Sequence, residues 1–172
     1  MIRGTPGPPD LTPKPVSEST VTLAQIMQVA DANVAGNVHG GTIMKLVDNA
    51  AGLAAAKHAG GLAVTAVMDE MSFLFPVYLG DVVTLRASVN EAFTTSMEVG
   101  VRVEAESFTT GRTTHTSSAY LVFVAIDEEG QPRKVPPLVA ENEEQRQRQR
   151  EAQLRREARL SRKQVIERSR AE

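Results

Sequence analysis

The stretch GGTIMKLVDNAAGLAAAKHAGG, residues 40–61, determines how this chain folds. From Thr42 to about Ala59, apolar residues recur at the 3.6-residue spacing of a helix and cover more than half of its circumference. The narrow polar stripe that remains consists of Lys45, Asn49 and Gly52. A helix that is apolar around most of its surface must be buried, and its many alanines let a sheet approach closely. The sequence therefore predicts one buried central helix.

After Gly60 and Gly61 the pattern changes to the alternation of strands. Four segments after the helix are rich in Val, Thr and Phe: 62–75, 81–92, 96–107 and 112–126. A further strand, 21–28, is predicted before the helix. Short breaks between successive strands favour an antiparallel meander over βαβ units. We expect an α+β architecture in which an antiparallel sheet wraps around one long helix.

The composition divides the chain into three parts. Residues 1–20 are Pro-rich and are expected to be disordered, and residues 21–140 form the folded domain. Residues 141–172 carry ten Lys or Arg against seven Asp or Glu, without Gly or Pro, which predicts a long solvated helix. The remainder of the chain is acidic, a poor surface for nucleic acid, so no nucleic-acid partner is expected.

Several classes of protein are disfavoured by what the sequence lacks. It has no Cys, its three His have no metal-ligand spacing, and no Ser stands in a Gly-x-Ser-x-Gly elbow. No metal and no cofactor are therefore expected. No apolar run reaches the roughly 18 residues of a membrane span, and residues 1–20 lack the apolar stretch of a secretory signal. We expect a cytoplasmic protein that does not enter a membrane.

Two features around the helix are candidates for chemistry. The run from Gly36 to Gly41 leads into the helix, where unpaired backbone N–H groups can stabilise an oxyanion, although such a run is also typical of a tight turn. Asp48 stands at the edge of the apolar arc, where a carboxylate is costly unless it is used or paired. An i,i+3 partnership with Lys45 is an equally good interpretation.

Other polar residues have simpler interpretations. His39 is a second candidate base, and His58 is explained by the negative dipole at the helix end. Arg133 and Lys134 are possible contacts for the phosphates of a ligand, or serve solubility alone. Three glutamates that alternate on one strand are expected on its solvated face: Glu98, Glu104 and Glu106.

The segment DANVAGNVHGGTIMKLVDNAAG, residues 31–52, resembles the motif of hotdog-fold acyl-CoA thioesterases of the brain acyl-CoA hydrolase and YciA type. Three later segments are similar to that family in order and spacing: MDEMSFLFPVYLGDVV, TTSMEVGVRVEAE and GQPRKVPPLVAENEEQ. The resemblance therefore covers roughly residues 21–145. The resemblance implies a hotdog fold, acyl-CoA as substrate, and free CoA and a carboxylic acid as products. It also implies self-association as a dimer, with three dimers forming a hexamer.

The resemblance assigns roles to residues. Asn37 matches the asparagine that polarises or positions the thioester, and Asp48 matches the helix aspartate that acts as base or nucleophile. The backbone N–H groups of Gly40 and Gly41 are the oxyanion-hole candidates, by resemblance and helix geometry together. The resemblance also implies active sites between subunits, so Asn37 of one subunit is expected to work with Asp48 of another. With acyl-CoA as the substrate, the phosphates that Arg133 and Lys134 could contact are those of CoA.

Two other functions stay open. A hydratase or dehydratase acting on a 2-enoyl thioester is one, because Asp31-Ala-Asn33 followed by His39 is similar to the Asp-x-Asn-x-x-His run of hydratase-2 proteins. Here His39 falls three residues too late, and the Pro of that run is absent. A non-catalytic acyl-CoA-binding module is the other.

Overall fold

The computed structural model describes residues 10–170 and contains one large sheet, one small sheet and three helices in that part of the chain. Seven strands and three helices follow one another in this order: β1 Lys14–Pro15, α1 Val16–Ser19, β2 Val21–Ile26, α2 Gly40–Ala59, β3 Ala63–Phe73, β4 Val82–Ala92, β5 Ser96–Glu106, β6 Thr113–Ala125, β7 Leu138–Val139 and α3 Glu143–Ser169. A short 3-10 turn, Val29–Asp31, follows β2. The predicted central helix and the five predicted strands are confirmed, and each end lies within two residues of the predicted one.

Helix α2 has a specific cap at each end. At its N-terminus, Nδ1 of His39 accepts a hydrogen bond from the Gly41 N–H at 2.9 Å. At its C-terminus the chain leaves through Gly60, whose φ of 66° is the left-handed conformation that favours glycine. Two cations then bind the last carbonyls, with Lys14 Nζ on His58 O and Arg133 Nη2 on Ala59 O. Positive charge at this end complements the helix dipole.

The five-stranded antiparallel sheet has the order β2-β4-β5-β6-β3, and α2 contacts all five strands. Because neighbouring strands lie about 4.8 Å apart, a flat sheet of five strands is wider than a helix. The sheet must therefore curl around α2 for every strand to contact it. The core consists of the inward side chains of helix and sheet: Ile43, Val47, Ala50, Ala51, Ala54, Leu85, Val89, Met97, Val99, Leu121 and Phe123.

The expected meander is correct for β4, β5 and β6 but wrong for β3. Strand β3 pairs with β6 rather than with β4, so between residues 73 and 82 the chain crosses from the β3 edge of the sheet to the position next to β2. The curl gives the physical reason. With β2 and β3 at opposite edges, the strands before and after the helix lie on either side of it, and three later strands cover its back.

The predicted disorder of residues 1–20 is wrong for residues 14–19, while residues 1–9 lie outside the described part of the chain. Strand β1 pairs in parallel with β7. Val16 is buried, and the buried Ser19 hydroxyl accepts a hydrogen bond from the Val89 N–H at 2.9 Å. Ser17 donates to the Glu141 carboxylate through both its N–H and its hydroxyl. The folded unit therefore begins about six residues earlier than expected.

Helix α3 forms where the charged tail was predicted, but it lies against the outer face of the sheet. Its Arg155 guanidinium contacts the Glu98 carboxylate at 2.7 Å and stacks 3.7 Å above the Tyr120 ring. One turn later, Arg159 bonds to Asp69 at 2.5 Å. Helix α3 thus contacts β4 as well as β5, β6 and β3, and it is held by these charged groups together with the buried Ala152.

The three alternating glutamates of β5 therefore differ in environment. Glu98 is 1% exposed, so the expectation of a solvated face is wrong for it. It lies beneath α3, where it also accepts a hydrogen bond from Asn90. Glu104 forms ion pairs with Arg86 and Arg102, which hold the pKa of its carboxyl below its usual value. Glu106 is exposed, as expected.

The Glu98–Arg155 pair gives a stability prediction. Arg155→Met keeps the length of the side chain but leaves the Glu98 carboxylate buried without its cation. A change of this kind is expected to lower the free energy of unfolding by about 3–5 kcal/mol. Urea denaturation of the two proteins measures the difference.

A matched control is Arg146→Met on the same helix, because Arg146 pairs with Glu143 in solvent. That substitution is expected to change the free energy of unfolding by at most about 1 kcal/mol. Equal stability of the Arg155→Met protein and the wild type would show that α3 does not depend on this pair.

Candidate active site

Two asparagines face each other in the loop that leads into α2. Asn33 Nδ2 donates to Asn37 Oδ1 at 2.5 Å, and the Asn33 N–H donates to the Asn37 carbonyl at 2.7 Å. A bridge between Ala32 and Val38 closes the base of this loop. Gly36, with φ of 84°, makes the turn at its tip, a conformation few other residues adopt. The loop therefore holds both amide side chains in a fixed orientation, with Asn37 bordering a cavity of about 280 Å³.

The two glycines at the start of α2 are not equivalent. The Gly41 N–H is engaged by the His39 ring, so as long as that cap holds it is not available to an oxyanion. Among residues 10–170, no acceptor lies within hydrogen-bond distance of the Gly40 N–H. Gly40 borders the same cavity as Asn37, beside the ring of Phe73. Of the two predicted donors, Gly40 is the one that the geometry leaves open.

Asp48 is half-buried on α2 and faces β3. Its Oδ1 accepts a hydrogen bond from Thr65 Oγ1 at 2.7 Å. Within the described residues no cation lies within ion-pair distance of this carboxylate, so the partnership with Lys45 is not formed. A side chain held by a single hydroxyl and open to a groove can accept a proton or attack a carbonyl.

Thr65 was not found from the sequence. It stands in a strand of alternating Val, Thr and Ala residues, where a hydroxyl is ordinary. Its role depends on the register that places it against Asp48, 17 residues away, and no local pattern contains that information. Asn33 was noticed only for its similarity to hydratases, and its contact with Asn37 was not expected.

Within one protomer the predicted groups do not meet. Asn37 and Gly40 border one cavity, whereas Asp48 and Thr65 border a separate groove of about 660 Å³ between α2 and β3. The eight residues from Gly40 to Asp48 correspond to about 12 Å along the helix axis. Large apolar side chains stand exposed beside both: Met44, Leu53, Val64, Phe73 and Leu74. A contiguous apolar surface of this kind is typical of an interface.

The residues at the other end of α2 have structural roles. The Arg133 guanidinium donates to the carbonyls of Ala59 and Ile126, so it is already used, whereas Lys134 is exposed. His58 is fully buried, with Nε2 2.9 Å from the Pro136 carbonyl. Burial lowers the pKa of His58 below 6.5 and favours the neutral ring. The explanation of His58 by the helix dipole is therefore wrong, because Lys14 and Arg133 supply the charge there.

The part of the chain that the structure describes contains no candidate set of metal ligands. Between residues 10 and 170, no three His, Asp or Glu side chains come together as ligands.

No helix among those residues combines the length and the apolar character needed to cross a bilayer.

Comparison with known proteins identifies the family of this chain. The family model of the thioesterase superfamily matches residues 35–112, which include Asn37, Gly40, Asp48 and Thr65. The acyl-CoA thioester hydrolase YkhA of Bacillus subtilis is 38% identical over 128 residues, which cover 74% of this chain and 74% of YkhA. The chain belongs to the thioesterase superfamily. Mouse acyl-coenzyme A thioesterase 11 is 36% identical over 161 residues, 92% of this thioesterase-superfamily chain.

The chain spans only part of the mammalian relatives, 27% of mouse acyl-coenzyme A thioesterase 11 and 38% of the mouse cytosolic acyl coenzyme A thioester hydrolase. Among solved structures, an acyl-CoA hydrolase from Staphylococcus aureus in complex with butyryl-CoA and CoA has a TM-score of 0.83 and 33% identity, covering 91% of this chain and 95% of that one. An apo-hexameric acyl-CoA thioesterase has a TM-score of 0.85 and 34% identity, covering 88% and 97%. The predicted family and hotdog fold are confirmed.

Burial of neutral His58 gives a prediction on pH and stability. The folded state holds the pKa of His58 below 6.5, so below pH 6.5 the unfolded chain binds a proton that the folded protein resists. The His58 contribution to stability is therefore complete above pH 6.5 and declines as the pH falls below it, by up to about 1.4 kcal/mol per pH unit.

Denaturant titrations between pH 5 and pH 7.5 measure this slope. His58→Gln is expected to flatten it. Identical slopes in the wild type and His58→Gln would contradict the assignment.

Proposed function

We propose that this protein hydrolyses acyl-CoA thioesters to free CoA and a carboxylic acid, with Asp48 activating the water. The observation that carries the proposal is the environment of Asp48. Its carboxylate is half-buried on α2, is held only by Thr65 among the described residues, and borders a groove with apolar walls. A carboxylate without a neutralising cation beside an apolar groove is suited to act on a neutral, chain-bearing substrate.

The chemistry follows from the groups available. Asp48 removes a proton from water as the water oxygen attacks the thioester carbonyl carbon, and the carbonyl oxygen becomes an oxyanion. The Gly40 N–H at the helix N-terminus and the Asn37 side-chain amide stabilise that charge. The carbon–sulfur bond then breaks, and the CoA thiolate takes up the proton from Asp48. Attack by Asp48 itself, through a mixed anhydride that water hydrolyses, uses the same residues.

Asn33 belongs to this site beside Asn37. Solved structures of the Staphylococcus aureus acyl-CoA hydrolase include alanine variants of an asparagine, an aspartate and a threonine. In that enzyme the aspartate follows the asparagine by 15 positions and the threonine follows the aspartate by 17. Asn33, Asp48 and Thr65 have the same spacings here, whereas Asn37 precedes Asp48 by only 11.

The loop geometry gives Asn33 a positioning role. Its amide group holds Asn37 Oδ1, and its own Oδ1 accepts the Ala35 N–H at 2.8 Å. This arrangement leaves the Asn37 Nδ2 hydrogens directed away from Asn33 and available to a thioester oxygen. Asn37 then polarises the substrate, and Asn33 fixes the orientation in which it does so.

The complete site forms between two copies of the chain. Asn37, just before α2, and Gly40, at its start, lie too far from Asp48 to act on one atom within a protomer. A two-fold axis near Met44, halfway between Gly40 and Asp48, sets two helices antiparallel and brings the start of one helix beside Asp48 of the other. The exposed apolar side chains around α2 and β3 supply the contact surface, and hexameric acyl-CoA thioesterases are among the structural neighbours. We propose a dimer with two sites, assembled three times into a hexamer.

Thiol release from acyl-CoA tests the function directly. Asp48→Asn keeps the size of the side chain but removes the base, so kcat is expected to fall by about 10²–10⁴ while CoA binding is retained. Thr65→Val removes one hydrogen bond to the carboxylate and is expected to lower kcat by roughly 10-fold. Glu129→Gln, at an exposed turn, is a control with no expected effect.

An unchanged kcat for Asp48→Asn would remove Asp48 from the mechanism and make His39 the residue to test. A wild type that hydrates 2-enoyl-CoA without thiol release would replace hydrolysis with the hydratase. Binding of acyl-CoA with neither reaction would leave a binding module.

Mixing two inactive variants tests the shared site. If Asn37 and Asp48 act from opposite subunits, an Asn37→Ala subunit paired with an Asp48→Asn subunit has one intact site and one doubly altered site. Random reassociation is expected to restore up to about a quarter of wild-type activity, because half of the dimers are mixed and each has one working site. Absence of recovery after verified subunit exchange would place both residues in one chain.

A further inference from the structure

Gly52 stands in the interior of α2, where glycine is the least favourable residue after proline. A glycine kept inside a helix usually has a packing or functional reason. Gly52 lies four residues after Asp48, so both are on the same face of the helix, one turn apart. A Cβ at this position would lie 3.5 Å from Cε1 of Phe123. There is room for a methyl group, and a larger side chain would meet the ring.

The sheet repeats this spacing. Thr65 of β3 and Phe123 of β6 are directly opposite each other in the register, so their side chains lie on the same face of the sheet, toward α2. Asp48 therefore faces Thr65, and one turn farther along the helix Gly52 faces Phe123. Phe123 is 2% exposed and is fixed in the core, so its ring forms a rigid wall.

The lining of the groove between these pairs changes from polar to apolar along its length. Asp48 and Asn49 make one end polar, and the residues that line the rest are apolar: Leu23, Leu53, Ala63, Val64 and Phe123. An acyl chain whose carbonyl carbon lies at Asp48 meets the apolar part as it runs along α2. The four residues from Asp48 to Gly52 correspond to about 6 Å along the helix axis, the length of about five carbon–carbon bonds of an extended chain.

We propose that Gly52, backed by the Phe123 ring, determines which acyl chains the enzyme accepts. This inference rests on the proposed acyl-CoA hydrolysis. Because Gly52 has no side chain, the groove that it lines stays open beside the ring, and acyl chains longer than about five carbons use this passage. A side chain at position 52 closes it, so short chains react and longer ones are excluded.

Close packing of a second subunit is the competing explanation for Gly52. In that case a side chain would weaken the assembly and lower the activity on every substrate by the same factor. A passage for the acyl chain instead changes the ratio between long and short substrates. The two explanations therefore differ in the chain-length profile and in the oligomeric state.

The experiment compares kcat/KM for acetyl-, butyryl-, hexanoyl-, octanoyl- and dodecanoyl-CoA in the wild type, Gly52→Ala and Gly52→Val. Gly52→Val is expected to retain acetyl-CoA activity within about 3-fold and to lose roughly 10-fold or more from hexanoyl-CoA upward. The chain-length profile of Gly52→Ala is expected to lie between those of the wild type and Gly52→Val. Lys57→Val places the same β-branched side chain at an exposed position of α2 outside the groove and is expected to keep the wild-type profile.

Phe123→Leu covers the case in which Gly52→Val does not fold, because it removes part of the wall instead of filling the passage. It is expected to raise kcat/KM for dodecanoyl-CoA relative to acetyl-CoA. Light scattering on each variant reports the oligomeric state. An equal loss on all chain lengths, or an unchanged profile in both Gly52→Ala and Phe123→Leu, would overturn the inference. A wild type that releases no thiol from any substrate would instead refute the proposed hydrolysis.

Discussion

Burial of a helix that is apolar around most of its circumference is the constraint on which the rest of the structure depends. A flat sheet covers one stripe of such a helix, so the sheet must curl until every strand contacts α2. The curl places β2 and β3 at opposite edges and leaves the stripe with Lys45, Asn49 and Gly52 between them. That opening is the side on which Asp48 and its groove lie, so the position of the site follows from the way the core is closed.

The same constraint separates the chemical groups. A helix offers unpaired N–H groups only at its start, whereas Asp48 must lie farther along to reach Thr65 on β3. One helix therefore cannot bring its own N-terminus to its own carboxylate. Pairing of two identical helices in opposite directions solves this problem without any additional element. In the dimer that we propose, catalytic assembly and subunit pairing are one event, and the exposed Met44, Leu53 and Val64 serve both.

The sequence predicted the features that depend on local periodicity. The bounds of α2 and of the five long strands came from spacings of 3.6 and 2 residues, and Asp48 was recognised because its position on the helix wheel is a local property. The place of β3 at the far edge was missed, since alternation within a strand does not specify its neighbour. The docking of α3 on the sheet was missed for a different reason. Arg155 and Glu98 are residue types that are usually exposed to solvent, and only their contact shows that they are buried.

The candidate site contains both residues that the sequence suggests and residues that only the structure brings to it. Asn37, Asp48 and Gly40 lie in or beside one continuous motif, which the family resemblance covers. Thr65 and the support that Asn33 gives to Asn37 depend on contacts across the register and within a loop, and a single sequence does not record these. The capping of Gly41 by His39 is likewise a matter of geometry, and it changes which of two adjacent N–H groups is open.

The pairing of β1 with β7 has a consequence for how the protein is made. Lys14 and Pro15 bind alongside Leu138 and Val139, and Ser17 reaches Glu141, so both ends of the folded unit are in contact. Synthesis proceeds from the N-terminus, so Lys14 and Pro15 have no strand to pair with until more than 120 further residues have been translated. Closing so long a loop is slow. The nascent chain therefore carries an incomplete sheet throughout most of its synthesis, and the fold closes as a late, cooperative event once residues 138–141 are free.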